Sequence, residues 1–234
     1  MSLSQLAPLP PGFTPTVASL HRVAEKLVAP ARKPDNEIAL AATPGGFGTP
    51  QFGFRDARHQ VRVEGDELVH VVGGQQRRAP LRNLAEAAVV IADLLPPGTQ
   101  LDREPLAIDA ESSRALAAWY QFGADVLSHL VAVAPAEDAP TQPLLWPEHF
   151  DIAIELGEEA RGARATYGLS PGDENHPEPY LYVGPWAAVP TGELWGARGF
   201  NGAELGYSEL LATLDHRATA IKFFEVRREV LAGG

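Results

Sequence analysis

Cysteine is absent from the chain, which excludes disulfide bonds, thiolate nucleophiles and thiolate metal ligands. Basic residues are also few, since 19 lysines and arginines face 30 aspartates and glutamates and the formal net charge is −11. Only Lys26, Lys33 and Lys222 are lysines, and the arginines are scattered without forming a basic stripe. Such a surface repels polyphosphates, so we do not expect a nucleic acid partner.

Long apolar runs are missing as well. The longest candidate, 85–95, is interrupted by charges and is followed by Pro96-Pro97, well short of the roughly 20 apolar residues that span a bilayer. The N-terminal segment lacks the basic start and the apolar stretch of a secretory signal. We therefore expect no membrane partner and a cytoplasmic location. The hydrophobic fraction of 45% and the charged fraction of 21% are those of a globular protein with a buried core.

The hydrophobic pattern changes period along the chain. Helical spacing predicts helices at 15–29, 81–95, 110–133 and 208–231, the last with a break near Asp215. Alternating or short apolar runs predict strands at 38–40, 51–54, 61–63, 68–72, 150–156, 164–169 and 179–183. Strands cluster together instead of alternating strictly with helices. This order predicts an α+β fold with mainly antiparallel sheet and segregated packing helices.

Composition also predicts boundaries. We expect an extended, proline-rich N-terminus at 1–13, an N-terminal α+β half at 14–133 and a C-terminal α+β half at 144–234. The stretch between the halves, 134–143, reads APAEDAPTQP and has the proline and small residues of a linker. Two organisations fit this pattern: two subdomains, or one unit in which the first and last helices hold both halves together.

The segment 146–195 holds three of the four tryptophans and two of the seven histidines, among many carboxylates. Side chains alternate across a strand, so the second half of the chain should present one apolar and one polar sheet face. The candidate ligand-binding residues on or near the polar face are His149, Asp151, Glu155, Arg164, His176, Tyr180 and Tyr182. Two interpretations stay open: a solvated sheet face, or a covered pocket in which desolvation would perturb the carboxylates.

The loop SPGDENHPEPY, 170–180, offers nitrogen and oxygen ligands, and a bound metal would draw on His149, Asp151, His176 and Glu178. Their spacing matches no known ligand motif and Pro-Gly-Asp is turn chemistry, so we predict no metal site. No G-x-S-x-G motif is present, and the glycines of 43–50 predict a flexible connection between strands, not a phosphate cradle. The sequence identifies neither a catalytic residue nor a cofactor.

The stretches LWPEHFDIAIELG and ATYGLSPGDENHPEPYLYVGPW resemble members of an uncharacterised bacterial family, a domain of unknown function. The likeness extends more loosely to the first half of the chain, from the LHRVAEKLVAP helix to RRAPLRNLAEAA. The resemblance implies one α+β unit with a preserved aromatic and acidic region. It implies no activity and no catalytic residue, because the family has none assigned.

Two classes of function fit this composition. One is a small-molecule binding protein or an enzyme whose site lies in the 146–195 region, with a metal-dependent hydrolase as a special case. The alternative is a protein-interaction or homodimerisation module anchored by exposed Trp146, Trp186 and Trp195, because aromatic residues dominate interface hot spots. A concave site would favour the first class and a flat aromatic patch the second.

Overall fold

The structure, a computed structural model, describes residues 5–35 and 37–233 of the chain. The first four residues of the predicted N-terminal segment 1–13 lie outside the described residues. Within the described chain there are five α-helices and two antiparallel sheets, which confirms the predicted α+β fold class. The helices are α1 (Phe13–Val23), α2 (Leu84–Ala87), α3 (Ala110–Val133), α4 (Tyr207–Leu211) and α5 (His216–Ala232).

The chain divides into two compact units, and both are discontinuous in sequence. Unit 1 comprises Met1–Pro8, Gln121–Leu144 and Asp151–Gly234, and unit 2 comprises Leu9–Tyr120 and Leu145–Phe150. The predicted linker, 134–143, therefore lies inside unit 1.

The first sheet has six strands, β1 (Ala41–Thr43), β2 (Gly46–Gly48), β3 (Phe52–Phe54), β4 (Ala57–Glu64), β5 (Glu67–Val72) and β6 (Gln75–Pro80). Its order is β1-β2-β4-β5-β6, and β3 also pairs with β4. The predicted hairpin joins β4 to β5, where Glu64 pairs with Glu67 and Gly65 takes the φ of 65° that the turn requires.

The second sheet has five strands, β7 (Leu144–Trp146), β8 (Asp151–Leu156), β9 (Ala165–Ser170), β10 (Tyr180–Pro185) and β11 (Ala203–Gly206). They lie in the order β11-β10-β9-β8-β7. One face of this sheet packs against helices of unit 1. A Cβ on Gly123 of α3 would lie 2.8 Å from Ile152, so α3 approaches β8 closely there. On the same face, the rings of Tyr167 and Phe224 of α5 are 5.9 Å apart between centroids.

Several local predictions differ from the structure. The strand predicted at 38–40 is displaced to β1, Ala41–Thr43, and Leu40 forms an isolated bridge with Leu145. The helix predicted at 81–95 is reduced to α2 and a 3-10 turn at Ala88–Ile91. Asn83 caps α2 by accepting from the Glu86 amide at 2.9 Å, but the β-branched Val89-Val90-Ile91 run does not favour an α-helix. The strand predicted from residue 150 starts at Asp151, because Phe150 has a φ of 54°.

The predicted break near Asp215 lies at the start of α5. The Asp215 carboxylate accepts a hydrogen bond from the Ala218 amide at 2.9 Å and so caps the helix. The short helix α4 precedes it and ends at Leu211. The first predicted helix, 15–29, is α1 followed by a π-helical turn at Ala24–Val28.

Candidate ligand-binding site

Strand register divides the second sheet into two faces. Ala153 pairs with Gly168, Gly168 with Tyr182, and Tyr182 with Glu204, and residues paired across antiparallel strands point to the same side. We call this side the polar face; its members are Asp151, Ala153, Glu155, Thr166, Gly168, Ser170, Tyr180, Tyr182, Gly184, Glu204 and Gly206. The two tyrosines and the two carboxylates Asp151 and Glu155 therefore lie on one face of one sheet.

Tyr182 lies across the polar face and reaches a buried carboxylate two strands away. Its hydroxyl donates a hydrogen bond to Asp151 Oδ2, and Asp151 is only 5% exposed. The phenol ring passes directly over Gly168, where a Cβ would lie 2.5 Å from Tyr182 Cζ. Burial, and then the Asp151 charge, raise the pKa of Tyr182 well above its ordinary value. Tyr182 is therefore a neutral hydrogen-bond donor to Asp151.

A second carboxylate, Asp173, orders the loop that follows β9. Its Oδ1 accepts from the backbone amides of Asn175 at 2.7 Å and His176 at 2.9 Å, which is the geometry of an Asx turn. Its Oδ2 accepts from the Tyr180 hydroxyl at 2.7 Å. Burial opposes ionisation of Asp173, but the hydrogen bonds from Tyr180, His176 and the two amides outweigh it and lower the pKa of Asp173.

His176 is held between two carboxylates. Its Nδ1 lies 3.0 Å from Asp173 Oδ1 and its Nε2 lies 2.9 Å from Glu204 Oε2 on β11. Each ring nitrogen of His176 is therefore engaged by a carboxylate. Neither nitrogen is then free to accept a proton from a substrate or to bind a metal ion.

Glu204 completes this network. It accepts from the Arg198 backbone amide at 3.1 Å and from Arg198 Nε at 3.2 Å, in addition to His176. Burial would raise the pKa of Glu204, but the Arg198 and His176 hydrogen bonds outweigh it and hold this pKa below its ordinary value. Glu204 is therefore an ionised carboxylate that ties the loop of His176 to the edge strand of the sheet.

Three aromatic rings meet over this part of the polar face. The ring centroids of Tyr180 and Tyr182 are 6.1 Å apart, and Phe200 lies 6.3 Å from Tyr180 and 6.1 Å from Tyr182. We call Tyr180, Tyr182 and Phe200 the aromatic triad. His176 packs beside it, with its centroid 4.2 Å from that of Tyr180. The triad is thus bordered by the carboxylates of Asp151 and Asp173, which accept from its two hydroxyls.

Two other predicted residues belong to a separate contact network. Glu155 is four residues from Asp151, or roughly 13 Å along an extended strand. It accepts from Arg164 Nη2 at 3.1 Å, and the Arg164 guanidinium lies 5.0 Å from the centre of the Trp186 ring. Trp186 Nε1 in turn donates to Thr166 Oγ1 at 3.2 Å. These contacts account for Glu155 and Arg164 as a packed ion pair at the far end of the polar face.

His149 does not lie on the polar face. It is exposed and belongs to the turn at 147–150, which is part of unit 2. Strand alternation cannot be extended back to it, because Phe150 has a left-handed backbone conformation between it and β8. Glu178, a ligand in the metal hypothesis, instead accepts from Ser208 Oγ at 2.6 Å.

The sequence did not predict Phe200 or Glu204 as site residues. Glu204 lies on β11 and Phe200 lies just before it; β11 has only four residues, AELG, which is too short for its alternation to predict a strand. The signal that could have identified Phe200 is the stretch Gly-Phe-Asn-Gly before β11, which places a large apolar ring in a segment without apolar periodicity. A Cβ on Gly202 would lie 2.7 Å from the Phe200 ring, so this glycine allows the ring to pack against the backbone.

The chain matches no protein-family model, curated protein or solved structure at a significant level. Among the described residues, no group of three or more histidines, aspartates and glutamates has the arrangement of a metal site. Helices long and apolar enough to cross a membrane are likewise not found in the part of the chain that the structure describes.

Proposed function

We propose that the chain is a small-molecule binding protein whose ligand is an organic cation held at the aromatic triad. The observation that supports this proposal is the convergence of three aromatic rings, all within 6.3 Å of one another, beside the buried carboxylate of Asp151. Aromatic faces attract ammonium groups through their quadrupole, and clustered rings are the usual means of recognising quaternary ammonium ligands.

The charges around the triad favour a cation over an anion. Asp151, Asp173 and Glu204 are three carboxylates, and the basic side chains that face them are those of His176 and Arg198. The Arg198 side chain is 87% exposed, so solvent screens its charge far more than that of the buried Asp151. A positively charged ligand would balance this excess of negative charge.

Phe200 supplies the adjustable wall of the site. It lies in the segment 186–202, which contains neither helix nor strand, whereas Tyr180 and Tyr182 are fixed on β10. Rings 6.1 to 6.3 Å apart are in contact, so a ligand enters by displacing the Phe200 ring. Loop-borne residues on a rigid sheet are a common arrangement for binding sites.

We propose binding without catalysis, because both nitrogens of His176 are engaged by carboxylates and both tyrosine hydroxyls donate to Asp151 and Asp173. The interaction module is the weaker candidate, because the Arg164 guanidinium already lies over the Trp186 ring, 5.0 Å from its centre. From the composition and the sequence resemblance we further propose a cytoplasmic location, no nucleic acid partner and membership of the uncharacterised bacterial family.

The test compares choline with 3,3-dimethylbutan-1-ol, its uncharged carbon isostere, by isothermal titration calorimetry at constant ionic strength. We expect choline to bind at least about tenfold more tightly, a difference of about 1.4 kcal/mol. Asp151→Asn, which keeps the shape and removes the charge, should weaken choline binding about tenfold with little loss of stability. Phe200→Ala should weaken it roughly 5- to 30-fold, as expected for one cation–π contact of about 1–2 kcal/mol.

Trp186→Phe is the matched control, because it alters an aromatic side chain that is 50% exposed on the same unit and contacts Arg164 instead of the triad. It should leave choline binding unchanged. Equal affinity for choline and its neutral isostere would refute a cation site. Binding of neither compound, or equal losses in Trp186→Phe and Phe200→Ala, would refute the assignment to the triad.

A further inference from the structure

Two buried histidines face each other in the first sheet. His59 on β4 and His70 on β5 are 5% and 1% exposed, and His59 Nδ1 lies 3.0 Å from His70 Nε2. They are diagonal neighbours on one side of the sheet, because His59 pairs with Val72 and His70 with Val61. This contact belongs to unit 2 and has no part in the site of the aromatic triad.

The outer nitrogen of each ring is committed to a backbone carbonyl. His59 Nε2 lies 3.1 Å from the Phe54 oxygen, and His70 Nδ1 lies 2.8 Å from the Val90 oxygen. A carbonyl oxygen only accepts, so both outer nitrogens carry a hydrogen. A neutral imidazole has one N–H, so two neutral rings would bring two bare nitrogen lone pairs together at 3.0 Å. One added proton converts that repulsion into a hydrogen bond.

We propose that His59 and His70 form a binding site for a single proton, as an imidazolium–imidazole pair that links two turns to the sheet. The proton rests on His59, which donates from Nδ1 to the bare Nε2 of His70. Burial, and then the charge of His59, lower the pKa of His70, which agrees with its role as the neutral acceptor. Together the two rings then satisfy all four of their nitrogens.

Charged and aromatic side chains surround the pair. Arg77 on β6 pairs with His70, and its charge opposes protonation of His70. Asp93, which follows the 3-10 turn, favours protonation of His70. On the β3 side the neighbours are the ring of Phe52, stacked on His59 at 5.7 Å, and that of Phe54 at 5.8 Å. Arg55 at the turn places its guanidinium 4.8 Å from the centre of the Phe54 ring.

Loss of the proton forces a structural choice. Either the two facing nitrogens move apart, or one ring changes tautomer and loses its hydrogen bond to the backbone carbonyl. The Phe54 carbonyl ends β3 immediately before Arg55 and Asp56, whose φ values of 45° and 62° form a tight turn, and the Val90 carbonyl lies in the 3-10 turn. Deprotonation therefore loosens the β3–β4 hairpin or the 3-10 turn, and the pair is a pH-sensitive element of unit 2.

The sign of the effect follows from counting protons. Histidines of the unfolded chain titrate near pH 6.5. Below that pH the unfolded chain binds two protons at these residues and the native pair binds one, so acid destabilises the fold. Above it the native pair retains one proton while the unfolded chain binds fewer, so alkali also destabilises the fold. The pair's contribution to stability is therefore greatest near pH 6.5.

Two measurements test the proposal. In the wild-type protein labelled with ¹⁵N, NMR spectra of the imidazole nitrogens at pH 7.5 should show that one ring of the pair is an imidazolium and the other is neutral. Two neutral rings, one of which carries its hydrogen on the nitrogen that faces the other ring, would refute the proposal. This measurement needs no variant. In denaturant unfolding, the folding equilibrium constant should fall about tenfold for each pH unit above about 6.5. This slope holds over the pH range in which the native pair keeps its proton and the unfolded chain has lost it.

His70→Gln supplies an uncharged acceptor oxygen and should remove the acid limb of the stability profile, because it deletes the second proton that the unfolded chain can bind. His59→Gln should make the alkaline limb shallower than in the wild type, because it deletes the proton that only the native pair retains. His149→Gln, at an exposed turn residue, is the control and should retain both limbs. Parallel pH profiles for the wild type and His59→Gln between pH 6.5 and 8.5 would overturn the proposal.

Discussion

Replacement of Gly168 by alanine tests the geometry of the candidate site most directly. A Cβ at this position would lie 2.5 Å from both Cε1 and Cζ of Tyr182 and 2.6 Å from its hydroxyl oxygen. A small rotation of the Tyr182 ring does not relieve the overlap, because three of its atoms would contact the added Cβ. The ring must therefore move away from β9, and its hydroxyl then loses the hydrogen bond to Asp151. Overpacking costs about 1–3 kcal/mol, and loss of a hydrogen bond to a buried charged group costs about 1.5–3 kcal/mol.

We therefore expect Gly168→Ala to lower the free energy of unfolding by about 2.5–6 kcal/mol, measured by urea denaturation. Gly184→Ala is the matched control. Gly184 lies on the same face, and a Cβ added there would meet no atom within 4 Å. Because alanine restricts the unfolded chain more than glycine, this variant should be neutral or up to about 1 kcal/mol more stable.

A double-mutant cycle separates the ring contact from any general intolerance of β9. In a Tyr182→Ala background the obstructing ring is gone, so Gly168→Ala should then cost less than about 1 kcal/mol, and the difference between backgrounds measures the coupling. An unchanged cost in both backgrounds would refute the steric argument. So would a Gly168→Ala variant within about 0.5 kcal/mol of the wild type, the range of ordinary surface substitutions.

Two further predictions concern tyrosine hydroxyls and the acid dependence of stability. Tyr120→Phe should lower the free energy of unfolding by about 1–3 kcal/mol in urea denaturation, because the buried Tyr120 hydroxyl donates to the Phe150 oxygen at 2.6 Å. Tyr167→Phe should be neutral or stabilising, because the buried Tyr167 hydroxyl has no hydrogen-bond partner among the described residues. Equal losses of stability in the two variants would contradict this reasoning. The lowered pKa of Asp173 adds stability above its unfolded value of about 3.9 that is lost as pH falls through the native value. Asp173→Asn should therefore unfold with a shallower dependence on pH below about 4, and identical slopes in the two proteins would contradict the role of its hydrogen bonds.

The sequence predicted the strongly patterned elements and missed the weakly patterned ones. Helix α3 was predicted with its bounds because its apolar residues keep helical spacing over 24 positions. Strand β6 was missed, because its sequence QQRRAP is almost wholly polar and its position at the sheet edge requires little burial. Strand β2 was mistaken for a flexible connection, although its glycines allow the close approach to β4, where a Cβ on Gly46 would lie 2.3 Å from the Val63 oxygen.

The candidate site shows the same division between local and long-range information. Alternation along β8 and β10 correctly assigned Asp151 and Tyr182 to a shared face. Within a regular strand, every second side chain points to the same side of the sheet, so the local pattern is sufficient. The same alternation was wrong for His149, because Phe150, which has a positive φ, lies between His149 and β8 and interrupts the alternation. Local pattern thus determines which way a side chain points, but only as far as the strand itself extends.

The contacts that give the polar face its chemistry depend on residues far apart in the sequence. Both ring nitrogens of His176 are engaged only because Glu204, 28 positions later, lies on β11 and meets its Nε2. Phe200 joins the triad through an irregular segment whose path no periodicity encodes. Sequence pattern could therefore identify the residue types of a ligand site but not their contacts. That His176, a candidate ligand-binding residue in the sequence, contacts two carboxylates is visible only in the three-dimensional structure.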